Sequence, residues 1–277
     1  MRTLFVTGVS SGLGRAIARA ALGHGHRVAG TVRTHDDGRA FEALSPGLAH
    51  ARVLDVTDDD AVFSTVADVE STVGAIDVVI ANAGYGVEGI FEETPLATMR
   101  EQFATNVFGV AATLQAALPA MRTRRAGHLM AITSMGGLMA VPGMSSYCAS
   151  KFAVEGMLES LRKEVSGFGI HVTAVEPGSF RTDWAGRSMT RAQRSIPDYD
   201  TLFDPIRAGR RTASGNQRGN PAKAAEAILS ILDVAAPPAH LVLGTDALAL
   251  IGSARAAVDE DIRTWEQLSR STDFPDS

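Results

Sequence analysis

Thr3-Leu-Phe-Val-Thr-Gly8-Val-Ser-Ser-Gly12-Leu-Gly14-Arg-Ala-Ile-Ala18 is the stretch from which the fold follows. Residues 3 to 7 form a short apolar run that reads as a buried strand, and the sequence from Leu13 onward reads as a helix start. Gly8, Gly12 and Gly14 occupy the turn between them. Glycine permits the tight bend and lets backbone approach a bulky anion closely. The free N–H groups and dipole of the new helix then favour a pyrophosphate at the turn. Gly8, Ser10, Ser11, Gly12, Leu13 and Gly14 are the residues expected around it. The spacing is Gly-x-x-x-Gly-x-Gly, which differs from the Gly-x-Gly-x-x-Gly of many dinucleotide turns.

Outward from this turn, strand and helix signals alternate. Strands are expected at 3 to 7, 27 to 32, 50 to 54, 77 to 81, 128 to 133, 170 to 175 and 240 to 243. Helices are expected at about 13 to 24, 58 to 73, 96 to 123, 146 to 168 and 221 to 234. Gly25, Gly74, Gly127 and Gly169 stand near the helix-to-strand boundaries as stops. The pattern predicts a single α/β domain over 1–277, with a doubly wound, mostly parallel seven-stranded sheet and helices on both faces. No repeat or linker divides it. Right-handed crossovers put the segments after Val6, Ile80, Thr133 and Val175 at one sheet edge, where one cleft can collect them.

Tyr147 and Lys151 are four residues apart on an expected helix, hence on one face. An ammonium beneath a phenol favours its ionised form, lowering a pKa that is ordinarily about 10. Ser134, thirteen residues upstream at a strand end, can hydrogen-bond a reacting oxygen. Only three of the 26 basic residues are lysines, which makes Lys151 more informative. Other chemistries find little support. Cys148 points about 100° around the helix from Tyr147, and Ser134 lacks the Gly-x-Ser-x-Gly elbow of a hydrolase. The seven histidines have no Cys or carboxylate partners at ligand spacing, so no metal is expected.

A net charge of −5 and a pI near 5.8 argue against a nucleic-acid partner. No stretch reads as the ~20 apolar residues of a membrane span, so no membrane association is expected. The lone cysteine is compatible with a reducing cytoplasm, the expected location.

Thr7-Gly8-x-x-x-Gly12-x-Gly14, Asn82-Ala83-Gly84, Asn106, Ser134, Tyr147-x-x-x-Lys151 and Pro177-Gly178-x-x-x-Thr182 resemble, in order and spacing, the short-chain dehydrogenase/reductase family. The resemblance covers about residues 1 to 246. It implies a single-domain Rossmann fold and hydride transfer between a nicotinamide cofactor and a small-molecule carbonyl or alcohol. Tyr147 would be the acid/base, Ser134 would hold the substrate oxygen, and Lys151 would tune the phenol and bind ribose hydroxyls. Asn106 would support a water relay. Asn82, Ala83 and Gly84 would pass close to the cofactor, Asp55 and Val56 would meet adenine, and Pro177, Gly178 and Thr182 would hold the carboxamide. Relatives often carry a second asparagine where this chain has Ala81. The resemblance also implies a lid at about 183 to 220 and a homodimer or homotetramer through the helices at 96 to 123 and 146 to 168.

The second expected strand ends without the acid that would bind a ribose diol; Arg33 follows it instead. A cation there pairs with a 2′-phosphate. NADP(H) is therefore the preferred cofactor. NAD(H) stays possible because Ser11 stands where NADP-using relatives often have a second basic residue. Residues 181 to 220, an irregular stretch by pattern, hold eight Arg and four Asp, an excess that suits an anion or is simply solvated charge. Met139, Val141, Met144, Phe180 and Trp184 flank the motifs as pocket lining or as core. The segment at about 246 to 270 is expected to be helical, without a chemical motif. Two alternatives remain: a cofactor-binding regulator with little turnover, and an isomerase or dehydratase without net redox change.

Overall fold

The computed structural model describes residues 1–274 apart from Asp183, Ala185 and Arg187; the start of the expected lid and the last three residues of the expected domain therefore lie partly outside the described residues. From the N-terminus run β1 (Thr3–Val6), α1 (Gly12–Gly23), β2 (Arg27–Val32), α2 (His35–Glu42), β3 (Ala49–Val53), α3 (Asp59–Thr72) and β4 (Val78–Ala81). Then come β5 (Gly86–Glu88), α4 (Leu96–Phe103), α5 (Gly109–Arg124), β6 (Gly127–Ile132), α6 (Ser145–Val165) and β7 (Ile170–Pro177). The chain continues through β8 (Met189–Arg191), α7 (Asp200–Ala213), α8 (Pro221–Ser230), β9 (His240–Leu243), α9 (Thr245–Thr264) and α10 (Glu266–Arg270).

Seven strands form one parallel sheet in the order β3-β2-β1-β4-β6-β7-β9. The period of two in each strand sorts its apolar residues into two cores. Leu4, Val6, Val28, Ile80, Met130 and Val175 face α1 and α8, where Ile17, Ala21 and Ile228 are buried. Phe5, Val79, Leu129 and Val172 face the other layer, meeting Val69 of α3, Leu114 of α5 and Val154 and Leu158 of α6. Each such fully buried side chain contributes roughly 1.5–3 kcal/mol. Burial on both faces is the reason the strands read as continuous apolar runs.

Helix α2 was not expected from periodicity, since its eight residues are mostly polar and include Gly38. Its start is chemical: the Thr34 hydroxyl accepts from Asp37 N, Asp36 and Asp37 lie in the first turn, and Phe41 anchors the core side. The expected helix at 96 to 123 is α4 and α5 joined by a π-turn, Ala104–Phe108. By length and composition Leu96–Arg124 is apolar enough to cross a membrane, with mean hydropathy 1.2, contrary to the expectation that no stretch would be. Its buried face, through Val110, Leu114, Ala117 and Met121, belongs to the sheet core.

The stretch at 183 to 220 is more regular than its sequence pattern. It contains β8, which pairs in parallel with β5, and α7, whose Phe203 is buried against Gly143.

Candidate active site

The turn after β1 is held open by its neighbours' side chains. Gly8 and Gly12 have φ of +75° and +59°, in the left-handed region where glycine is favoured. The Thr31 hydroxyl accepts from Gly8 N at 3.0 Å, and the Thr31 carbonyl accepts from Val9 N. Thr7 Oγ1 accepts from the amides of Asn82 and Ala83, each at 2.9 Å. The Asn82 amide donates in return to the carbonyls of Thr7 and Gly8. A Cβ on Gly14 would sit 2.3 Å from Gly8 O and 2.4 Å from Asn82 Nδ2, so only glycine fits there. Ser11, at the N-cap of α1, makes no side-chain cap bond. The first-turn amides of α1 are thus available to an anion, as a pyrophosphate requires.

Not every expected cofactor residue presents its side chain. Leu13 packs against the sheet core and Val56 against Leu54, Val62 and Ala112, so they can offer only backbone to a ligand. Asn82 spends its amide on the loop it braces. Asp55 is exposed and its Oδ1 accepts from Thr57 N and Oγ1, and the cap of α3 is Asp58. Arg33 is exposed at the end of β2, two residues beyond Thr31, and has no ion-pair partner among the described residues. Arg39 is paired with Asp36.

Ser134, Tyr147, Lys151, Asn106 and Gly84 converge at the C-terminal edge of β4 and β6. A Cβ on Gly136 would lie 3.3 Å from the Tyr147 ring and 3.4 Å from Ser134 Oγ, which places phenol and hydroxyl on one side of that turn. A Cβ on Gly84 would lie 3.1 Å from Asn106 Oδ1 and 3.8 Å from Lys151 Nζ. Lys151 Nζ donates to the Ile132 carbonyl at 2.8 Å and stands 5.9 Å from the Tyr147 ring centroid. Asn106 sits in the π-turn, fully buried. Its Nδ2 donates to Tyr85 O and Ser150 Oγ, and its Oδ1 accepts from Tyr85 N. π-turns recur at functional sites because they re-aim one side chain within a helix.

The expectation that Lys151 pulls the Tyr147 phenol down is not met. Burial pushes that phenol up, a hydrogen bond with Ser134 opposes the rise, and Cys148 adds to it. Burial also lowers the Lys151 ammonium to about 8, against the pull of Glu155. Desolvation dominates at both groups because both are nearly inaccessible, and the ammonium is turned toward a carbonyl.

Thr182 lies across from the glycine turn, its Cβ 3.9 Å from where a Gly12 Cβ would stand, and its hydroxyl accepts from Trp184 N. Gly178 N donates to Leu243 O. A Cβ on Gly178 would strike the Asp246 carboxylate at 2.3 Å, and Ser179 N donates to that carboxylate at 2.8 Å. Burial disfavours the Asp246 charge, yet hydrogen bonds from Ser179 and from backbone amides hold its pKa below the ordinary carboxylate value. Asp246 is a positioning residue that the sequence reading missed. So is Gln102, which ties Tyr85 O to Ser146; its spacing of four from Asn106 on an apolar helix is the signal that could have found it.

Of the apolar candidates, Val141, Met144 and Trp184 gather at Tyr147, with Met189 of β8. The Trp184 and Tyr147 ring centroids are 5.0 Å apart. Met139 instead packs with Ala247 and Ile251 of α9, and Phe180 bridges to Gly219. These two belong to the scaffold around the cleft.

The short chain dehydrogenase family model matches residues 2–193, and the chain belongs to that family. Over 269 residues it is 37% identical to Oxidoreductase BOA17 of Botryotinia fuckeliana, covering 96% of this chain and 97% of that protein. A short-chain dehydrogenase from Streptomyces avermitilis superposes with a TM-score of 0.92 at 39% identity, over 99% of this chain and 100% of the other. An alcohol dehydrogenase from the archaeon Thermococcus sibiricus, complexed with 5-hydroxy-NADP, superposes with a TM-score of 0.70 at 25% identity, over 88% and 96% of the two chains. The protein is a nicotinamide-dependent oxidoreductase of this family.

Proposed function

We propose that the protein is a cytoplasmic NADP(H)-dependent reductase that converts a ketone or aldehyde with an apolar body into the alcohol, and catalyses the reverse under oxidising conditions. The observation that carries this reading is the cluster of Tyr147, Ser134 and Lys151 facing Val141, Met144 and Trp184. The nicotinamide supplies or accepts the hydride. Gly8, Ser10, Ser11, Gly12 and the α1 amides fit its pyrophosphate, Pro177, Gly178 and Thr182 fit the carboxamide end, and Arg33 fits a 2′-phosphate.

In the reducing direction a protonated phenol is required, and burial keeps Tyr147 protonated near neutrality. Its proton passes to the substrate oxygen as that oxygen gains charge, while the Ser134 hydroxyl holds the same oxygen. Lys151, its ammonium lowered to about 8, can return a proton to the phenolate. Asn106 fixes the Tyr85 backbone that borders this path. Val141, Met144 and Trp184 exclude water from the reacting carbon and favour an apolar substrate.

The test is loss of NADPH absorbance with a panel of ketones and aldehydes, in wild type and Tyr147→Phe. The variant should bind NADPH normally and lose ~10²- to 10⁴-fold in turnover. Near-normal turnover in Tyr147→Phe would overturn the assignment. NADPH binding without oxidation across the panel would favour a regulator, and product formation without NADPH consumption an isomerase or dehydratase.

A further inference from the structure

One turn below Lys151 on α6, Glu155 faces β7 and β9 rather than the cleft. Its carboxylate meets Glu176 of β7 and His240 of the edge strand β9, and one ligand atom from each of the three lies within 4.8 Å of the others. Glu155 is 5% exposed and Glu176 is fully buried. Neither oxygen of Glu155 nor Oε2 of Glu176 has a hydrogen-bond partner among the described residues. Thr133, next to Glu155, spends its hydroxyl proton on the Val175 carbonyl. Buried carboxylate oxygens without donors are costly, so this cluster calls for protons or a cation between its members.

His240 is oriented as a ligand would be. Its Nδ1 lies 2.5 Å from Glu176 Oε1 and 3.8 Å from Glu155 Oε2. Its Nε2 lies 3.0 Å from Glu159 Oε1, one further turn along α6. With an Nε2–H donated to Glu159, loss of the proton shared between Nδ1 and Glu176 Oε1 would leave the Nδ1 lone pair directed at the two buried carboxylates. This is the carboxylate–histidine–metal arrangement in which an outer carboxylate fixes the tautomer. The half-exposed imidazole also gives a path from solvent at the sheet edge.

We propose that Glu155, Glu176 and His240 form a binding site for a first-row divalent cation, Zn²⁺ or Mn²⁺, with Glu159 as its outer hydrogen-bond acceptor. Two carboxylates and a neutral imidazole balance the charge of such an ion, and the imidazole selects against Mg²⁺ and Ca²⁺. Three protein ligands leave a fourth position for water. The ion takes the place of the proton between Nδ1 and Glu176, and these atoms part from 2.5 Å to the roughly 3.3 Å that separates two ligand atoms on a tetrahedral ion. It would tie α6 to β7 and β9 immediately before Pro177-Gly178. The sequence reading missed the cluster because its members come from residues 155, 176 and 240 and meet only through β7–β9 pairing.

Full-length protein stripped with EDTA should bind one ZnCl₂ or MnCl₂ per chain in a calorimetric titration, with a higher melting temperature. His240→Ala should weaken binding by ~100-fold and Glu159→Gln by ~10-fold, whereas His24→Ala, at the exposed His24–Glu226 pair, should leave it unchanged. In wild type alone, repeating the titration in buffers of different ionisation heat should reveal proton release near neutrality. The proposal is overturned if no saturable binding occurs, if His240→Ala binds as wild type does, if His24→Ala abolishes binding, or if binding releases no proton.

Discussion

The turn after β1 and the segment after β7 border the same cleft, but different forces hold them. Around the glycine turn the short tethers are neutral: Thr7, Thr31 and Asn82 hydrogen-bond backbone groups at 2.8 to 3.2 Å, with an exposed Arg15 Nη1 reaching the Ser10 carbonyl only at 3.4 Å. Across the cleft, buried carboxylates anchor β8 and α7 through arginines. Glu93 binds Arg194, which also pairs with Asp200 and Asp204, and Glu88 lies 3.4 Å from Arg207 and 3.8 Å from Arg191. Neutral bonds of this kind contribute about 0.5–1.5 kcal/mol each and do not titrate. Ionic tethers are conditional on protonation and salt. The cofactor side is built to stay put, and the substrate side is built from interactions that conditions can loosen.

The strongest way to break this comparison is Gly14→Ala. The new Cβ meets a backbone oxygen and the Asn82 amide at distances that cannot be tolerated without moving the turn. Overpacking of this kind costs about 1–3 kcal/mol, and a backbone clash belongs at the upper end. Affinity for NADPH and NADH should fall alike, by ~100-fold if the whole cost appears in binding. Isothermal titration with both cofactors checks it. An unchanged affinity would mean that the turn adapts and that its neutral network is not rigid.

Arg33→Ala sharpens the comparison, because Arg33 is an exposed charge placed beside the neutral tethers of the glycine turn. A charge-assisted hydrogen bond is worth ~1.5–3 kcal/mol, which corresponds to roughly 10- to 100-fold in affinity. The variant should lose that factor for NADPH and almost nothing for NADH. Equal losses for both cofactors would assign Arg33 to the fold or the adenine region.

The same division explains what could be read from sequence. The seven sheet strands were legible because burial on both faces leaves apolar runs with glycine stops. Tyr147, Lys151 and Ser134 were legible because their meeting depends only on helix period and strand ends. β8 and α7 were not, since their order comes from long-range pairs such as Glu93 with Arg194, 101 residues apart. Asp246 was hidden for a similar reason: its partner, Ser179, is 67 residues away. The raised Tyr147 phenol was missed because helix spacing shows that Lys151 is near but not that both groups are desolvated.

The smallest expected effect is the most selective test of the contrast. Glu93 is almost wholly buried and accepts from Ser195 N at 2.6 Å, Ile196 N at 2.7 Å and Arg194 Nε at 2.8 Å. Burial alone would raise its pKa, but the two backbone amides and then Arg194 outweigh it, and the carboxyl lies below its ordinary value of 4.5. A depressed folded-state pKa means that the tether's contribution is fully present above about pH 4.5 and is lost as pH falls through the lower folded value. Amide exchange at Ser195 and Ile196, corrected for its intrinsic pH dependence, should therefore lose protection by a few-fold on acidification through this window. Gly8 and Val9, whose amides bond to Thr31, should show no such change over the same range. Glu93→Gln should remove the pH dependence at Ser195 and Ile196, because its amide no longer titrates. If Gly8 and Val9 lost protection in step with Ser195 and Ile196, the two sides of the cleft would be opening as one unit, and the division into neutral and ionic tethers would have no consequence for motion.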